Sequence, residues 1–250
     1  MNRIAVIADI HGNFPALEAV AADIQRRGIS TVLNLGDHAS GPLWPAETLT
    51  FLMQQPWMHI AGNHDRQLVQ HPPADHGASD RYAFAQLDQQ QLEWLRQLPA
   101  QAQLHTTMLL CHGTPTSDEQ YLLETVVNGI IQLAQPSEIK VRLGGAQATI
   151  VLCGHSHIPR VISVNAALLV NPGSVGLPAY HNPLPEPHVV ETGSPAARYA
   201  VLEPYEHGWR VELIALPYDH RRAAHQAQQN NQPEWAAALS TGYMHSELST

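Results

Sequence analysis

Residues 57–65 read Trp57-Met58-His59-Ile60-Ala61-Gly62-Asn63-His64-Asp65, and the break inside them decides the fold. Residues 57–61 are mainly apolar and short enough to form a buried strand. At Gly62 the sequence turns polar at once. A strand that stops abruptly in Gly, Asn, His and Asp is how a rigid scaffold delivers chemistry to a loop. The same grammar recurs. Ile4-Ala5-Val6-Ile7-Ala8 ends in Asp9-Ile10-His11-Gly12, and Thr31-Val32-Leu33-Asn34-Leu35 ends in Gly36-Asp37. Met108-Leu109-Leu110-Cys111 ends in His112-Gly113, and Ile150-Val151-Leu152-Cys153 ends in Gly154-His155-Ser156-His157.

Outward from these strands the chain reads as α/β. Asn13-Phe14-Pro15 is a helix start, a capping residue with Pro in the first turn. Leu17, Val20, Ala21 and Ile24 then repeat at helical spacing until Gly28 stops the helix. Strand two follows directly, so residues 4–35 form a right-handed parallel strand-helix-strand unit. Pro45 opens a second helix, with Leu49, Leu52 and Met53 on one face. The pattern next predicts a loop over 66–80, a helix from its cap Asp88 through Leu98, and a short strand within 99–104. Residues 119–143 read as helical, broken at Gly129 and Pro136.

Past residue 157 the texture changes. Short alternating runs at 160–164, 167–170, 198–203 and 209–216 predict antiparallel sheet. Residues 178–195, rich in Pro, Glu and His, predict a long surface loop near the site. Weak helices at 220–229 and 233–239 follow. Residues 1–250 read as one domain whose last thirty or so residues form a helical C-terminal extension.

Composition narrows the function. Net charge is -9, with 13 Lys and Arg scattered along the chain, which argues against a long nucleic acid or an anionic membrane as partner. No apolar run approaches membrane-spanning length and the amino terminus enters a strand directly, so a cytoplasmic location is expected. The two cysteines, Cys111 and Cys153, sit in buried strands and read as small apolar side chains. Sixteen histidines invite a metal reading, although His71, His76, His105, His207, His220, His225 and His245 read as surface residues.

In an extended strand end, residues two apart point to the same side, so Asp9 and His11, and likewise His155 and His157, could face one ion. Parallel sheets gather sites at the carboxyl ends of their strands. That brings Asp9, His11, Asp37, Asn63, His112, His155 and His157 together. These O and N donors, with no thiolate, exceed the needs of one ion and suit two ions sharing a carboxylate. Asp37, alone at its strand end, is the natural bridge. Two such cations can hold a hydroxide and neutralise phosphoryl oxygens during in-line attack.

The ordered set Asp9-x-His11, Gly36-Asp37, Gly62-Asn63-His64-Asp65, His112 and Gly154-His155-x-His157 resembles the calcineurin-like metallophosphoesterases over residues 4–157. Asn171-Pro172-Gly173-Ser174-Val175-Gly176 extends the resemblance to the small bacterial and archaeal YfcE-like phosphodiesterases, either as a plain tight turn or as a substrate contact. The resemblance implies a four-layer α-β-β-α sandwich of two mixed sheets flanked by helices. It implies one divalent ion on Asp9, His11, Asp37 and His157, and a second on Asp37, Asn63, His112 and His155. Manganese is the first expectation; iron, zinc and nickel are the others. His64 would steady the phosphoryl group and protonate the leaving oxygen, with Asp65 orienting it.

Departures from the family pattern matter. Phosphoprotein phosphatases carry an arginine soon after the bridging aspartate and a Glu after the motif histidine. Here Asp37 is followed by His38-Ala39-Ser40-Gly41-Pro42, and position 65 is Asp, so a protein phosphatase is disfavoured. Phosphate would then be held by metals, His64 and one of Asn13 or Asn34; Asn13 is alternatively only the helix cap. His38 is either an extra polar contact or a solvent-facing loop residue. The expected substrate is a small phosphodiester or nucleotide, with a phosphomonoester or dinucleoside polyphosphate as the alternative. A non-catalytic scaffold is disfavoured by the intact ligand set and His64. Self-association is left open.

Overall fold

Ile4, Ala5, Val6 and Ile7 are buried without exception, which requires a strand covered on both faces. In the computed structural model, which describes residues 3–244, this strand β1 (Ile4–Ile7) is the centre of a five-stranded sheet. It pairs in parallel with β2 (Thr31–Asn34), which pairs in parallel with β3 (Met58–His59). On its other side β13 (Ala197–Tyr205) and β14 (Gly208–Leu216) run antiparallel. A second five-stranded sheet has the order β4 (Gln101–Leu104), β5 (Met108–Cys111), β8 (Ile150–Leu152), β10 (Ala167–Asn171), β9 (Arg160–Val164). Its inner three strands are parallel and its edges antiparallel.

Alternation within the strands builds the layers. Val6, Leu33, Ile60 and Leu202 of the first sheet meet Leu110, Ile150, Leu152 and Val170 of the second in one cluster between the sheets. On the outer face of the first sheet, Ala5, Ile7, Val32 and Tyr199 pack under α1 (Phe14–Arg26), α2 (Pro45–Leu52), α3 (Asn63–Gln70), α4 (Ala78–Gln86) and α5 (Gln89–Gln97). Outside the second sheet, Cys111, Val151, Cys153 and Leu169 pack under α6 (Pro136–Arg142). The arrangement is the expected four-layer α-β-β-α sandwich. Helices α7 (His220–Gln229) and α8 (Pro233–Thr241) pack on Leu43 and Trp44; residues 245–250 of the expected extension lie outside the described residues. No helix among the described residues is long and apolar enough to cross a membrane.

Three local expectations are corrected. Within 119–143 only α6 is helical. Residues before it form a hairpin, β6 (Glu124–Val127) with β7 (Ile130–Leu133). Asn128 and Gly129 both have positive φ, the turn that an Asn-Gly pair between β-branched runs specifies. Within 178–195, β11 (Ala179–Asn182) and β12 (His188–Glu191) form a second hairpin around a short loop. The 66–80 segment is largely helical, because the Gly62-Asn63-His64-Asp65 motif is itself the start of α3. There the Gly62 amide donates to Asp65 Oδ2 at 2.9 Å, capping the helix.

Candidate metal centre

The carboxyl ends of β1, β2 and β8 do not continue as extended strand. Asp9, His11, Asp37, His155 and His157 all take positive φ, between 52° and 66°. Each such residue without the freedom of glycine costs about 1–2 kcal/mol. The expectation that pleating aims the paired residues is therefore corrected; left-handed kinks aim them. Interleaved backbone bonds hold the kinks: Asp9 N donates to Gly36 O at 3.0 Å, and Ile10 N and His11 N both donate to Asp37 O. A strained set of side chains converging on one space is the pattern of a functional site.

Two groups converge there: Asp9, His11 and His157, and Asp37, His112 and His155. Asp37 Oδ2 stands 3.2 Å from His112 Nε2 and 3.8 Å from His11 Nε2, so one oxygen faces both groups. Asn63 Oδ1 lies 3.1 Å from His112 Nε2 and joins the second group. Thus all seven donors expected from the sequence lie at one site.

The imidazoles are fixed from behind. His11 Nδ1 donates to Ser40 O, His112 Nδ1 to Leu35 O and His157 Nδ1 to Leu177 O, at 2.7–2.8 Å. His155 Nε2 donates to Glu119 O at 3.0 Å, which turns its Nδ1 inward. Backbone carbonyls behind ligating histidines set the tautomer and orientation in this way. His11 Nε2 and His157 Nε2 are 3.2 Å apart while both rings donate from the other nitrogen. A cation between them, a proton or a metal ion, satisfies both nitrogens. The donor set therefore fits divalent ions that accept imidazole and carboxylate.

The charges agree. Burial holds His11 and His155 down to about 4, so both are neutral at pH 7. Burial also opposes charge on His112, but Asp37 and Asp9 overcome it and raise His112 to about 10. Asp37 is held well below the usual carboxylate range by His112 and His64, against the effect of burial. With Asp9 and Asp37 both ionised and inaccessible to water, the centre demands a cation, and without metal a proton on His112 supplies it.

His64 stands beside this centre, its ring 5.5 Å from that of His11 and its side chain 33% exposed. Its expected partner is corrected. Asp65 follows it on α3, and adjacent helical residues do not face each other. The Asp65 carboxylate instead accepts from the amides of Asp37, His38 and Gly62 and pairs with His38 Nδ1 at 2.7 Å. It is a clasp for the loop carrying Asp37. Asp80 of α4, which the sequence reading missed, meets His64 Nδ1 at 2.9 Å. Burial opposes charge on His64, yet Asp37 and then Asp80 raise it to about 9.

The three substrate-contact expectations are also corrected. Asn13 is fully buried as the cap of α1, its amide donating to Gly176 O and to the Tyr218 hydroxyl. Asn34 is fully buried against His59 and the Gly36 amide. His38 is buried between Asp65, His59 and Trp94, neither at the site nor in solvent. The 171–176 run resolves toward structure. Asn171 donates to Gly154 O and Ser156 Oγ, and Ser174 Oγ donates to Asp9 O. A Cβ on Gly176 would fall 1.7 Å from Ile10 O, so the run lies directly against the first ligand loop.

A sandwich of two mixed sheets with imidazole and carboxylate donors at its strand ends fits a metal-dependent hydrolase of phosphoric esters. The chain belongs to the calcineurin-like phosphoesterase superfamily, whose domain matches residues 2–193. It is similar to the uncharacterized protein MJ0912 of Methanocaldococcus jannaschii, at 27% identity over 94% of this chain and 95% of that one. Among solved structures, a metallophosphoesterase from Sphaerobacter thermophilus superposes with a TM-score of 0.75 at 23% identity, covering 97% of this chain and 99% of that one. The hypothetical protein PH1004 from Pyrococcus horikoshii OT3 does so with a TM-score of 0.73 at 20% identity, covering 97% and 99%.

Proposed function

We propose that the protein hydrolyses a small phosphodiester or nucleotide with two divalent ions sharing Asp37. Asp9, His11, Asp37 and His157 would hold one ion, and Asp37, Asn63, His112 and His155 the other. The observation that carries this reading is Asp37 Oδ2, which faces the Nε2 atoms of His11 and His112 from one position. Bound there, the ions supply a nucleophile from water at neutral pH and neutralise phosphoryl oxygens.

The chain's own residues do the rest. Carbonyls behind the four imidazoles keep the donor atoms turned inward. His64, partly exposed beside the centre, donates a hydrogen bond to the phosphoryl group and a proton to the leaving oxygen. The resemblance of the motif set to the YfcE-like branch favours a diester, and manganese is the ion to supply first.

The test is turnover of bis(p-nitrophenyl) phosphate by chelator-stripped protein, with and without manganese. Manganese-dependent turnover that collapses in His64→Ala, with metal content retained, supports the reading. Hydrolysis of phosphomonoesters alone would replace diester with monoester. No turnover of any phosphoric ester by the metal-loaded protein would reject it.

A further inference from the structure

We propose that Asp80 is the positioning residue of His64, and that the C-terminal helices keep it in place through Asn230. The inference rests on His64 acting as the acid.

Asp80 lies outside the motifs that carry the family resemblance, and its side chain is only 8% exposed. A buried carboxylate needs partners. Asp80 Oδ1 has two, His64 Nδ1 at 2.9 Å and Ser40 Oγ at 2.5 Å. Ser40 also accepts His11 Nδ1 on its carbonyl at 2.8 Å. A continuous chain therefore runs from the metal-site imidazole of His11 through Ser40 and Asp80 to His64. Fixing Nδ1–H of His64 on Asp80 leaves Nε2 as the nitrogen free to meet substrate, and it holds the ring against rotation. His64 is part exposed and makes no other side-chain hydrogen bond among the described residues, so this contact sets its orientation.

The contact depends on α4 staying against the loop that carries Ser40. Asn230, just past α7, bridges the two: its Nδ2 donates to Pro42 O at 2.8 Å and to the Tyr82 hydroxyl at 2.9 Å. Tyr82 lies two residues from Asp80 on α4, and Pro42 two residues from Ser40. Asn230 thus ties the helix that carries Asp80 to the loop that carries Ser40. The C-terminal helices thereby gain a role in catalysis.

The experiment uses phosphodiesters that differ only in leaving group, from p-nitrophenol through phenol to an alkyl alcohol, with metal content checked in every variant. A misoriented acid matters most where the leaving oxygen needs a proton. Asp80→Asn should lose kcat by on the order of 10²-fold with the alkyl leaving group and far less with p-nitrophenol. Asn230→Ala should show the same trend at roughly threefold to tenfold, the size of a lost hydrogen bond or two. Ser40→Ala, which keeps both the carboxylate and the imidazole, serves if Asp80→Asn fails to fold, and the same trend is expected. His64→Ala is run alongside. A leaving-group trend in His64→Ala with a uniform loss in the Asp80 and Ser40 variants overturns the positioning role and leaves the proposed function standing. No trend in His64→Ala removes His64 as the acid and both claims with it.

Discussion

Loading the metal-free protein at neutral pH should expel about one proton per chain, and its source should be His112. His112 Nε2 is 3.2 Å from Asp37 Oδ2 and 3.9 Å from Asp9 Oδ1, and the two carboxylates raise it to about 10 against burial. An incoming ion needs that nitrogen neutral. His11 and His155, held near 4 by burial, are already neutral and release nothing. At pH 7 the His112 proton sits about three units below its release point, so displacing it costs about 4 kcal/mol. Apparent affinity for the ion on the Asp37 group should then rise about tenfold per pH unit between roughly pH 7 and 9. Calorimetric titration of stripped protein with manganese, in buffers of different ionisation enthalpy, measures the proton count directly. A count near zero with pH-independent affinity would refute the charge balance drawn for this centre.

Other outcomes follow from the same geometry. In Gly62→Ala the new Cβ would fall 2.2 Å from Asp37 Oδ1, so the Asp37 carboxylate must move; turnover should drop by about 10²-fold, with bound metal reduced by elemental analysis. Asn171→Ala removes bonds to Gly154 O, Ser156 Oγ and the Gly173 amide, and urea unfolding should report a loss of about 2–3 kcal/mol. The metal-free protein should be most stable near pH 6.5, as urea midpoints across pH 5 to 9 would check. Above that value the folded state keeps protons on His64 and His112 that the unfolded chain releases, and stability falls toward pH 9–10. Below it the unfolded chain binds protons that buried His11 and His155 refuse, and stability falls toward pH 4.

Much of the candidate site was legible in the order of residues because a strand end is a local event. An apolar run that stops in Asp, His or Asn names its ligand directly, and parallel topology collects such ends whatever the loops do. Helix caps were legible for the same reason: Asn13 and Asp88 act on amides within three residues. Both hairpins had local signals as well. Asn128-Gly129 between β-branched flanks specifies a hairpin turn, which outweighs helical spacing there, and the Pro- and Glu-rich 183–187 is only the loop of the 179–191 hairpin.

What the tertiary structure alone decided are the partnerships. Sequence adjacency gave His64 to Asp65, but consecutive residues on a helix diverge, and the carboxylate that meets His64 arrives from another helix sixteen positions away. Which imidazole nitrogen faces a metal depends on carbonyls as distant as Leu35 for His112, and no periodicity encodes that. Residue type determined what could ligate or donate a proton. Only packing determined which neighbour holds each group still, because a hydrogen bond reads a few ångströms in space and not separation along the chain.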